Sequence, residues 1–166
     1  PLATPAALAG GGEVKPAAFD YQRIASADEA CAVLAQMGED ARILAGGQSL
    51  MAVLNMRLAQ PQRLLDISRC APLQQLRADQ GALQVGAAVT QATLEWRPTL
   101  AQELPLLQRA LPHISHFQVR NRGTVAGSIA HADPSAELPL CLLALRGEVL
   151  LKSARGKSLG ERVSPW

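Results

Sequence analysis

The stretch Arg120–Pro139 constrains the fold of this chain more than any other part of its sequence. It contains Gly123 and Gly127 four residues apart, with the hydroxyl-bearing Thr124 and Ser128 directly after them. Glycine adopts positive φ angles at little cost, and a ligand can approach its main chain closely because it has no Cβ. Exposed backbone N–H groups in such a turn form a concave site for anions or carbonyl groups. This pattern is typical of a loop that holds a large cofactor.

An acidic segment follows this loop, in which Asp133-Pro134 precedes Glu137-Leu138-Pro139. A carboxylate here can accept hydrogen bonds from a ribose or a polyol. It can equally begin a helix, since acidic side chains stabilise helix N-termini. From these residues alone, a cofactor loop and an ordinary tight turn between two strands are about equally favoured.

Length and composition exclude several classes of protein. A chain of 166 residues is long enough for one domain or two small lobes. Its formal net charge is +2, its arginines are scattered, and it contains two Trp, one Tyr and two Phe. Because nucleic-acid-binding surfaces combine a basic cluster with aromatic side chains, we expect no nucleic acid partner.

The cysteine content and the termini bear on location. Cys31, Cys70 and Cys141 lie far apart without C-x-x-C spacing, so the chain forms no zinc ribbon or iron–sulfur site of its own. Free buried thiols are typical of reducing compartments, and no apolar run approaches the length of a membrane span. We expect a cytoplasmic protein. Residues 1–14 lack the charged start of a secretory signal, and we expect a flexible leader or linker there.

Residues 15–71 predict a small α/β lobe. Ser26 and Glu29 match a capping box, in which each side chain bonds a backbone N–H at the start of a helix. The predicted elements are a helix from Ser26 to Gly38, a strand over 41–45, a helical stretch over 50–58 and a strand over 64–67. This order of elements indicates an α/β unit.

Residues 72–166 predict a larger α+β lobe, because the composition changes after Ala71-Pro72. The predicted elements are a hairpin over 73–87, a helix from the Thr90 cap to Trp96, a helix over 100–114 interrupted by Pro105 and Pro112, a helix over 138–145 and a strand over 147–153. We place the boundary between the lobes near residues 70–73. The whole chain is then of the α+β class.

The sequence Gly46-Gly47-Gln48-Ser49 directly follows a predicted strand, where main-chain amides can hold a phosphate. It matches neither G-x-G-x-x-G nor a Walker loop, and two glycines after a strand more often form a simple turn. However, the chain has one such turn in each predicted lobe and no other obvious chemistry. A dinucleotide between two lobes needs a binding loop from each, so the pair of turns favours a dinucleotide site.

Other candidate sites are weaker. His113 and His116 lie three residues apart, but Pro112 disturbs the local helix and no carboxylate or thiol nearby completes a metal site. Ser49 lacks the G-x-S-x-G context of a hydrolase nucleophile. We therefore predict no metal site and no catalytic side chain.

Several motifs together resemble the FAD-binding subunit of molybdenum hydroxylases, the family of the carbon monoxide dehydrogenase medium subunit and the xanthine dehydrogenase flavin domain. The matching segments are Lys15–Tyr21, Leu44–Leu50, Arg57–Pro61, Val85–Thr90, Val119–Ser128, His131–Pro134 and Glu137–Pro139. The resemblance extends from Lys15 to about Gly156. It implies the two-lobed FAD-binding fold that these proteins share with vanillyl-alcohol-oxidase-type flavoproteins.

The resemblance also implies which residues bind FAD. In the family, a first loop binds the pyrophosphate through backbone amides, and a second loop lies beside the flavin and the ribityl chain. An acid after an Asp-Pro turn binds cofactor hydroxyls and corresponds to Glu137. The first loop corresponds to Ala45, Gly46, Gly47, Gln48, Ser49 and Leu50, and the second loop to Thr124, Val125, Ala126, Gly127 and Ser128.

Two departures from the family pattern bear on FAD binding. The second loop of the family usually reads T-x-G-G-N, and here Ala126 and Ser128 replace the second glycine and the asparagine. If that glycine requires a positive φ, Ala126 carries strain of about 1 kcal/mol. Ser128 also reaches less far than asparagine. The family continues into a C-terminal domain that Lys157–Trp166 does not match, so we expect a C-terminally truncated form.

The resemblance implies an oxidoreductase component. In such enzymes, electrons pass from a molybdenum cofactor on a large subunit, through iron–sulfur clusters on a small subunit, to FAD on this subunit. They then pass to an acceptor such as NAD or a quinone. The alternatives are a truncated flavin-type domain that binds FAD weakly or not at all and serves assembly, and an unrelated α/β nucleotide-binding module.

Overall fold

The computed structural model describes residues 15–79 and 81–159, with the backbone alone for 157–159, so the predicted leader over 1–14 lies outside the described residues. The strands are β1 (Asp20–Arg23), β2 (Ala41–Leu44), β3 (Arg63–Asp66), β4 (Leu76–Asp79), β5 (Ala82–Val85), β6 (Leu150–Ser153) and β7 (Gly156–Leu159). The helices are α1 (Ala27–Met37), α2 (Leu50–Asn55), α3 (Gln91–Glu95), α4 (Leu100–Glu103), α5 (Pro105–Ala110), α6 (Phe117–Arg122), α7 (Val125–His131) and α8 (Glu137–Ala144).

The first three strands form a parallel sheet in the order β1-β3-β2. Asp66, the last residue of β3, pairs with Arg23 of β1 on one side and with Leu44 of β2 on the other. All three strands therefore end at the same edge of the sheet. Loops that follow parallel strands meet at this edge, which is where ligands bind in open α/β sheets.

Helix α1 begins as the sequence predicts. The Ser26 hydroxyl accepts a hydrogen bond from the Glu29 backbone N–H at 3.1 Å, and the Glu29 carboxylate accepts one from the Ala25 N–H at 2.8 Å. The helix ends at Gly38, whose φ is 56°. Its Ala30 packs into a buried apolar cluster that also contains Ile24, Ala41, Leu65, Ile67 and Cys70.

Helix α2 is shorter than the predicted stretch over 50–58. It ends at Asn55, and Arg57 has a φ of 55°, so the chain leaves the right-handed helix before Pro61. A residue in the left-handed region directly after the last turn is a common way for a helix to end.

The predicted hairpin is confirmed, although its strands are shorter. Strands β4 and β5 pair antiparallel around a turn containing Gly81, whose φ is 79°. Leu73 and Ala87, at the base of this hairpin, pack against the apolar cluster beside α1. A second hairpin joins β6 to β7, and β6 begins at Leu150 rather than at the predicted residue 147.

The helix predicted over 100–114 is divided into α4, α5 and a 3₁₀ turn over Leu111–His113. Pro105 is the first residue of α5, and Leu104 before it is extended, with a φ of −143°. Proline disfavours the helical conformation in the residue that precedes it, so Pro105 begins a new helix, whereas Pro112 is the second residue of the 3₁₀ turn. These helices enclose a second apolar cluster, formed by Leu94, Leu100, Leu107, Leu111, Ile114, Val125, Leu138 and Cys141.

Two contacts connect the C-terminal hairpin to α1. The Lys152 ammonium lies 2.6 Å from the Asp28 carboxylate, and the Cys31 thiol donates to the Lys152 carbonyl oxygen at 3.4 Å. The end of the described chain thus packs against its first helix. Within the described residues, no helix is long and apolar enough to cross a membrane.

Candidate functional site

The two glycines of the Arg120–Pro139 stretch lie where two helices meet. Gly123 separates α6 from α7, and Gly127 lies inside α7, so the alternative of a turn between two strands is wrong. Thr124 explains the helix, since its hydroxyl accepts a hydrogen bond from the Gly127 N–H at 3.0 Å and so caps α7. Threonine is a favoured N-cap residue, and this signal was available in the sequence.

The first loop contacts the second-loop region through its backbone. A Cβ built on Gly46 would lie 2.6 Å from the Gly123 Cα and closer still to the Arg122 carbonyl oxygen. A Cβ on Gly127 would lie 3.8 Å from the Ala45 Cβ. The fold therefore brings the two predicted loops together, and the missing side chain at Gly46 is what permits the approach.

An open cleft of about 470 Å³ lies at the carboxyl edge of the parallel sheet, and we call it the loop cleft. Gly47, with a φ of 72°, turns the chain at its wall. The loop cleft is lined by Leu44, Ala45, Gly46, Gly47, Gln48, Met51, Asp66, Ser68 and Arg122. Four of the six predicted first-loop residues are among these.

The remaining predicted residues lie outside the lining of the loop cleft. Ser49 is exposed and its hydroxyl makes no capping hydrogen bond, while Leu50 begins α2. In the second loop, Thr124 and Val125 are buried, and Ala126, Gly127 and Ser128 are half-buried on α7. The hydroxyl oxygen of Thr124 accepts the hydrogen bond that caps α7, and the residue is buried.

Ala126 has no positive φ, so the backbone strain that such an angle would cause is absent. Ala126 lies in the first turn of α7, and the residues of the described chain with positive φ do not include it. The replacement of glycine by alanine at this position therefore carries no backbone cost. The shorter reach of Ser128 remains the one difference between the second loop and the family pattern.

The acidic segment begins a helix. Glu137 is the first residue of α8 and is half-buried. Asp133 lies in the preceding turn, where its Oδ1 accepts hydrogen bonds from the Ser135 N–H at 2.8 Å and the Ser135 hydroxyl at 2.7 Å. These bonds, the backbone one first, lower the pKa of Asp133.

Sequence reasoning missed Asp66. Its side chain is almost fully buried, with 8% of the residue exposed, yet it lines the loop cleft. The Tyr21 hydroxyl donates to Oδ2, and the Ser68 N–H donates to Oδ1 at 2.8 Å. Burial raises the pKa of Asp66, but these hydrogen bonds and the nearby Arg23 charge outweigh burial and lower it overall. The group is therefore a carboxylate at neutral pH.

Two arginines near Gly123 have different roles. Arg120 binds Glu95 at 2.7 Å, and their side chains are only 11% and 15% exposed, so this pair fixes α6 against α3. Arg122, two residues later, is exposed and lines the loop cleft. A cation beside a glycine turn favours an anionic ligand.

Gln91 lies behind the junction of the two loops. Its backbone N–H donates to the Gly123 carbonyl oxygen at 2.8 Å. Its side-chain Oε1 is buried and has no hydrogen-bond partner among the residues that the structure describes. A buried acceptor without a donor is costly, so this atom marks a place where a further donor fits.

Comparison with known proteins decides the family. The FAD binding domain in molybdopterin dehydrogenase matches residues 17–161. The chain belongs to this family. FAD is the family's cofactor, and the resemblance found in the sequence is confirmed.

Relatives and solved structures agree with this assignment. The chain is 44% identical over 144 residues to the 6-hydroxypseudooxynicotine dehydrogenase complex subunit alpha of Paenarthrobacter nicotinovorans. The aligned residues cover 87% of this chain and 49% of the relative. Quinoline 2-oxidoreductase from Pseudomonas putida 86 matches with a TM-score of 0.84 and 41% identity, over 88% of this chain and 51% of that one.

Carbon monoxide dehydrogenase from Hydrogenophaga pseudoflava also matches, with a TM-score of 0.84 and 38% identity over 87% of this chain and 50% of that one. These likenesses confirm the predicted two-lobed FAD-binding fold. The chain spans about half the length of the relatives that it matches.

The described residues fit the cofactor of the family. The two glycines let the first loop line the cleft with its main chain, since Gly46 fits against the Gly123 backbone and Gly47 adopts a φ of 72°. Arg122 supplies a positive charge at the same cleft. The donor set is therefore suited to a large anionic molecule with hydrogen-bonding groups.

Proposed function

We propose that this chain is the FAD-binding part of an electron-transfer subunit in a molybdenum-containing hydroxylase. The observation that carries the proposal is the backbone contact of the two loops at Gly46, in a chain that belongs to the FAD-binding family. This contact forms a single binding region from two segments that are far apart in the sequence. A dinucleotide cofactor extends over more than one loop, as such a region allows.

Each group of residues has a proposed role. The backbone amides of Ala45, Gly46, Gly47, Gln48, Ser49 and Leu50 bind the diphosphate, with Arg122 neutralising its charge. The half-buried residues of the second loop lie beside the flavin and ribityl end, and Glu137 accepts a hydrogen bond from a cofactor hydroxyl. FAD, when bound, supplies the redox chemistry, and the protein positions it and excludes competing reactions.

The partners are proposed from the nature of the relatives. Matching proteins are named as subunits of dehydrogenases, among them a carbon monoxide dehydrogenase medium chain. We place the iron–sulfur clusters on a small partner subunit and the molybdenum cofactor on a large one, with NAD or a quinone as the final acceptor. The cytoplasm is the proposed location.

The proposal also divides the chain near residues 70–73 into a small α/β lobe and a larger α+β lobe. Its support is the presence of two separate apolar clusters, one beside α1 and one among the later helices. The base of the β4–β5 hairpin packs on the first cluster and joins the two parts.

Titration of the protein with FAD, followed by quenching of flavin fluorescence, tests the proposal. The matched variants are Arg122→Gln in the loop cleft and Arg77→Gln on the exposed face of β4, outside the cleft. We expect Arg122→Gln to weaken binding about tenfold, because a charge-assisted hydrogen bond contributes about 1.5 kcal/mol or more. Arg77→Gln should bind as the unmodified protein does.

A larger residue at Gly46 is a poor probe of the diphosphate contact. Its Cβ would overlap the backbone of Gly123, so Gly46→Val would separate the loops whatever ligand they bind. Exposed Arg122 avoids this difficulty, since its replacement leaves the loop contact in place.

A domain that serves assembly without binding FAD remains the second candidate, because Ser128 is shorter than the asparagine of the family pattern. The same titration separates the two. No measurable FAD binding by the unmodified protein, with its circular dichroism and unfolding transition intact, would contradict the flavin role. It would support the second candidate.

A further inference from the structure

Strands β2 and β3, with the first loop and α2 between them, form a β-α-β unit with parallel strands. Asp66 is the last residue of β3, is paired with the last residue of β2, and stands twenty positions after Gly46. In the common dinucleotide-binding folds, a glycine turn after one strand takes the diphosphate. An acid at the end of the next strand, about twenty residues on, accepts hydrogen bonds from a ribose.

The geometry at Asp66 matches that arrangement although the glycine spacing does not. Its carboxylate lies at the same edge as the first loop and lines the same cleft. The Tyr21 hydroxyl and the Ser68 N–H each donate one hydrogen bond to it, and the Ser68 hydroxyl also interacts with it. An ionised carboxylate accepts about four hydrogen bonds, so acceptor capacity remains for a ligand.

The charges in the loop cleft favour one orientation of a bound dinucleotide. Arg122 and the amides of the first loop attract phosphate, whereas the Asp66 carboxylate repels it and attracts hydroxyl donors. The second loop, beside which the proposed flavin end lies, does not contribute to the lining of this cleft. With the flavin end assigned to the second loop under the proposed function, the hydroxyls left to meet Asp66 would be those of the adenosine half.

We propose that Asp66 accepts a hydrogen bond from a ribose hydroxyl on the adenosine half of FAD and thereby selects the dinucleotide over flavin mononucleotide. This assignment rests on the proposed function. The Tyr21 hydroxyl and the Ser68 N–H hold the carboxylate in position from the side of the sheet. A purely structural Asp66 would hold Tyr21 and the turn at Ser68 and would not distinguish between ligands.

The test compares FAD with its 2′,3′-dideoxyadenosine analogue and with flavin mononucleotide by fluorescence titration. The unmodified protein should bind FAD about tenfold more tightly than the dideoxy analogue, as expected for loss of a charge-assisted hydrogen bond. Asp66→Asn, which keeps the shape of the side chain, should lose about tenfold in FAD affinity and no longer distinguish the two compounds. Its affinity for flavin mononucleotide should not fall, because this ligand has no adenosine ribose and Asn does not repel its phosphate.

Asp79→Asn is the matched control, because Asp79 is exposed at the end of β4 and lies outside the loop cleft, so its replacement should keep the preference for FAD. Equal binding of FAD and the dideoxy analogue by the unmodified protein overturns this inference alone, and this measurement needs no variant that must fold. A preference that survives in Asp66→Asn overturns it as well. If the unmodified protein binds no FAD, the proposed function fails and the inference with it.

Discussion

Gly46 is required by packing rather than by backbone conformation. Its φ is not in the left-handed region, but a Cβ there would press into the backbone of Gly123 and Arg122. Gly38 is the reverse case, since it has a φ of 56° and open space around it. Backbone atoms cannot move aside as a flexible side chain does, so alanine should be unfavourable at the two positions for different reasons.

We expect Gly46→Ala to lower the free energy of unfolding by about 2–3 kcal/mol, the cost of overpacking a tight contact. Gly38→Ala should cost about 1–3 kcal/mol through backbone strain alone, because a φ of 56° with a ψ of −124° lies outside the left-handed helical well. Urea unfolding followed by circular dichroism measures both. A loss well under 1 kcal/mol in Gly46→Ala would show that the loops do not meet through their backbones at Gly46.

The Tyr21–Asp66 hydrogen bond makes stability depend on pH. The pKa of Asp66 is lowered from its ordinary value of 3.8, so its contribution is fully present above that value. It is lost as the pH falls from 3.8 through the folded-state pKa.

Tyr21→Phe should therefore lower the free energy of unfolding by about 1 kcal/mol at pH 7, where the hydroxyl bonds a carboxylate. The difference from the unmodified protein should shrink as the pH falls below about 4. Urea unfolding at several pH values between 7 and 3 measures the trend. A constant difference over that range would contradict the assigned pairing.

At the scale of helices and strands, the sequence correctly predicted the features that depend on a few neighbouring residues. The Ser26–Glu29 capping box, the β4–β5 turn and the Thr90 cap all act within a few residues, and each was predicted correctly. The helix over 100–114 was predicted too long, because Pro105 begins a new helix rather than bending one.

The start of α7 was missed for a different reason. Gly127 has a low helix propensity, so the stretch resembled a loop. Burial of Val125 in the helical cluster and the Thr124 cap outweigh that cost. In the candidate site, Asp66 was overlooked because its role depends on the pairing of β3 with β2. No local pattern in the sequence contains that pairing.

The Arg120–Glu95 ion pair joins α6 to α3 and should contribute more to the free energy of unfolding than an exposed ion pair does. Glu95→Gln should cost about 2 kcal/mol, since it leaves a largely buried guanidinium without its anion. Asp20→Asn, at an exposed pair with Arg63, should cost well under 1 kcal/mol. Urea unfolding of both variants measures the contrast, and similar losses would argue against a structural role for the α3–α6 ion pair.

At the scale of the whole molecule, the three thiols report on its packing. Cys70 and Cys141 are 1% and 5% exposed. Cys31, on α1, is half-buried where that helix contacts the C-terminal hairpin. Burial, and then the nearby Glu137 charge, raise the pKa of Cys141, which further slows its reaction with a disulfide reagent.

We expect one thiol to react with Ellman's reagent well before the other two in the folded protein, and all three to react quickly in urea. Cys31→Ser should remove the fast phase, whereas Cys141→Ser should leave it. A fast phase that persists without Cys31 would show that the native core opens to solvent elsewhere.

The contact between Gly46 and Gly123 also has a consequence for the order of folding. The two residues lie far apart in the sequence, and contacts of large sequence separation form late because closing a long loop costs entropy. The proposed binding region is therefore completed only when both parts of the chain have folded and docked. A ligand that binds there favours the docked state by mass action, so added cofactor should slow unfolding and leave the early steps of folding unchanged.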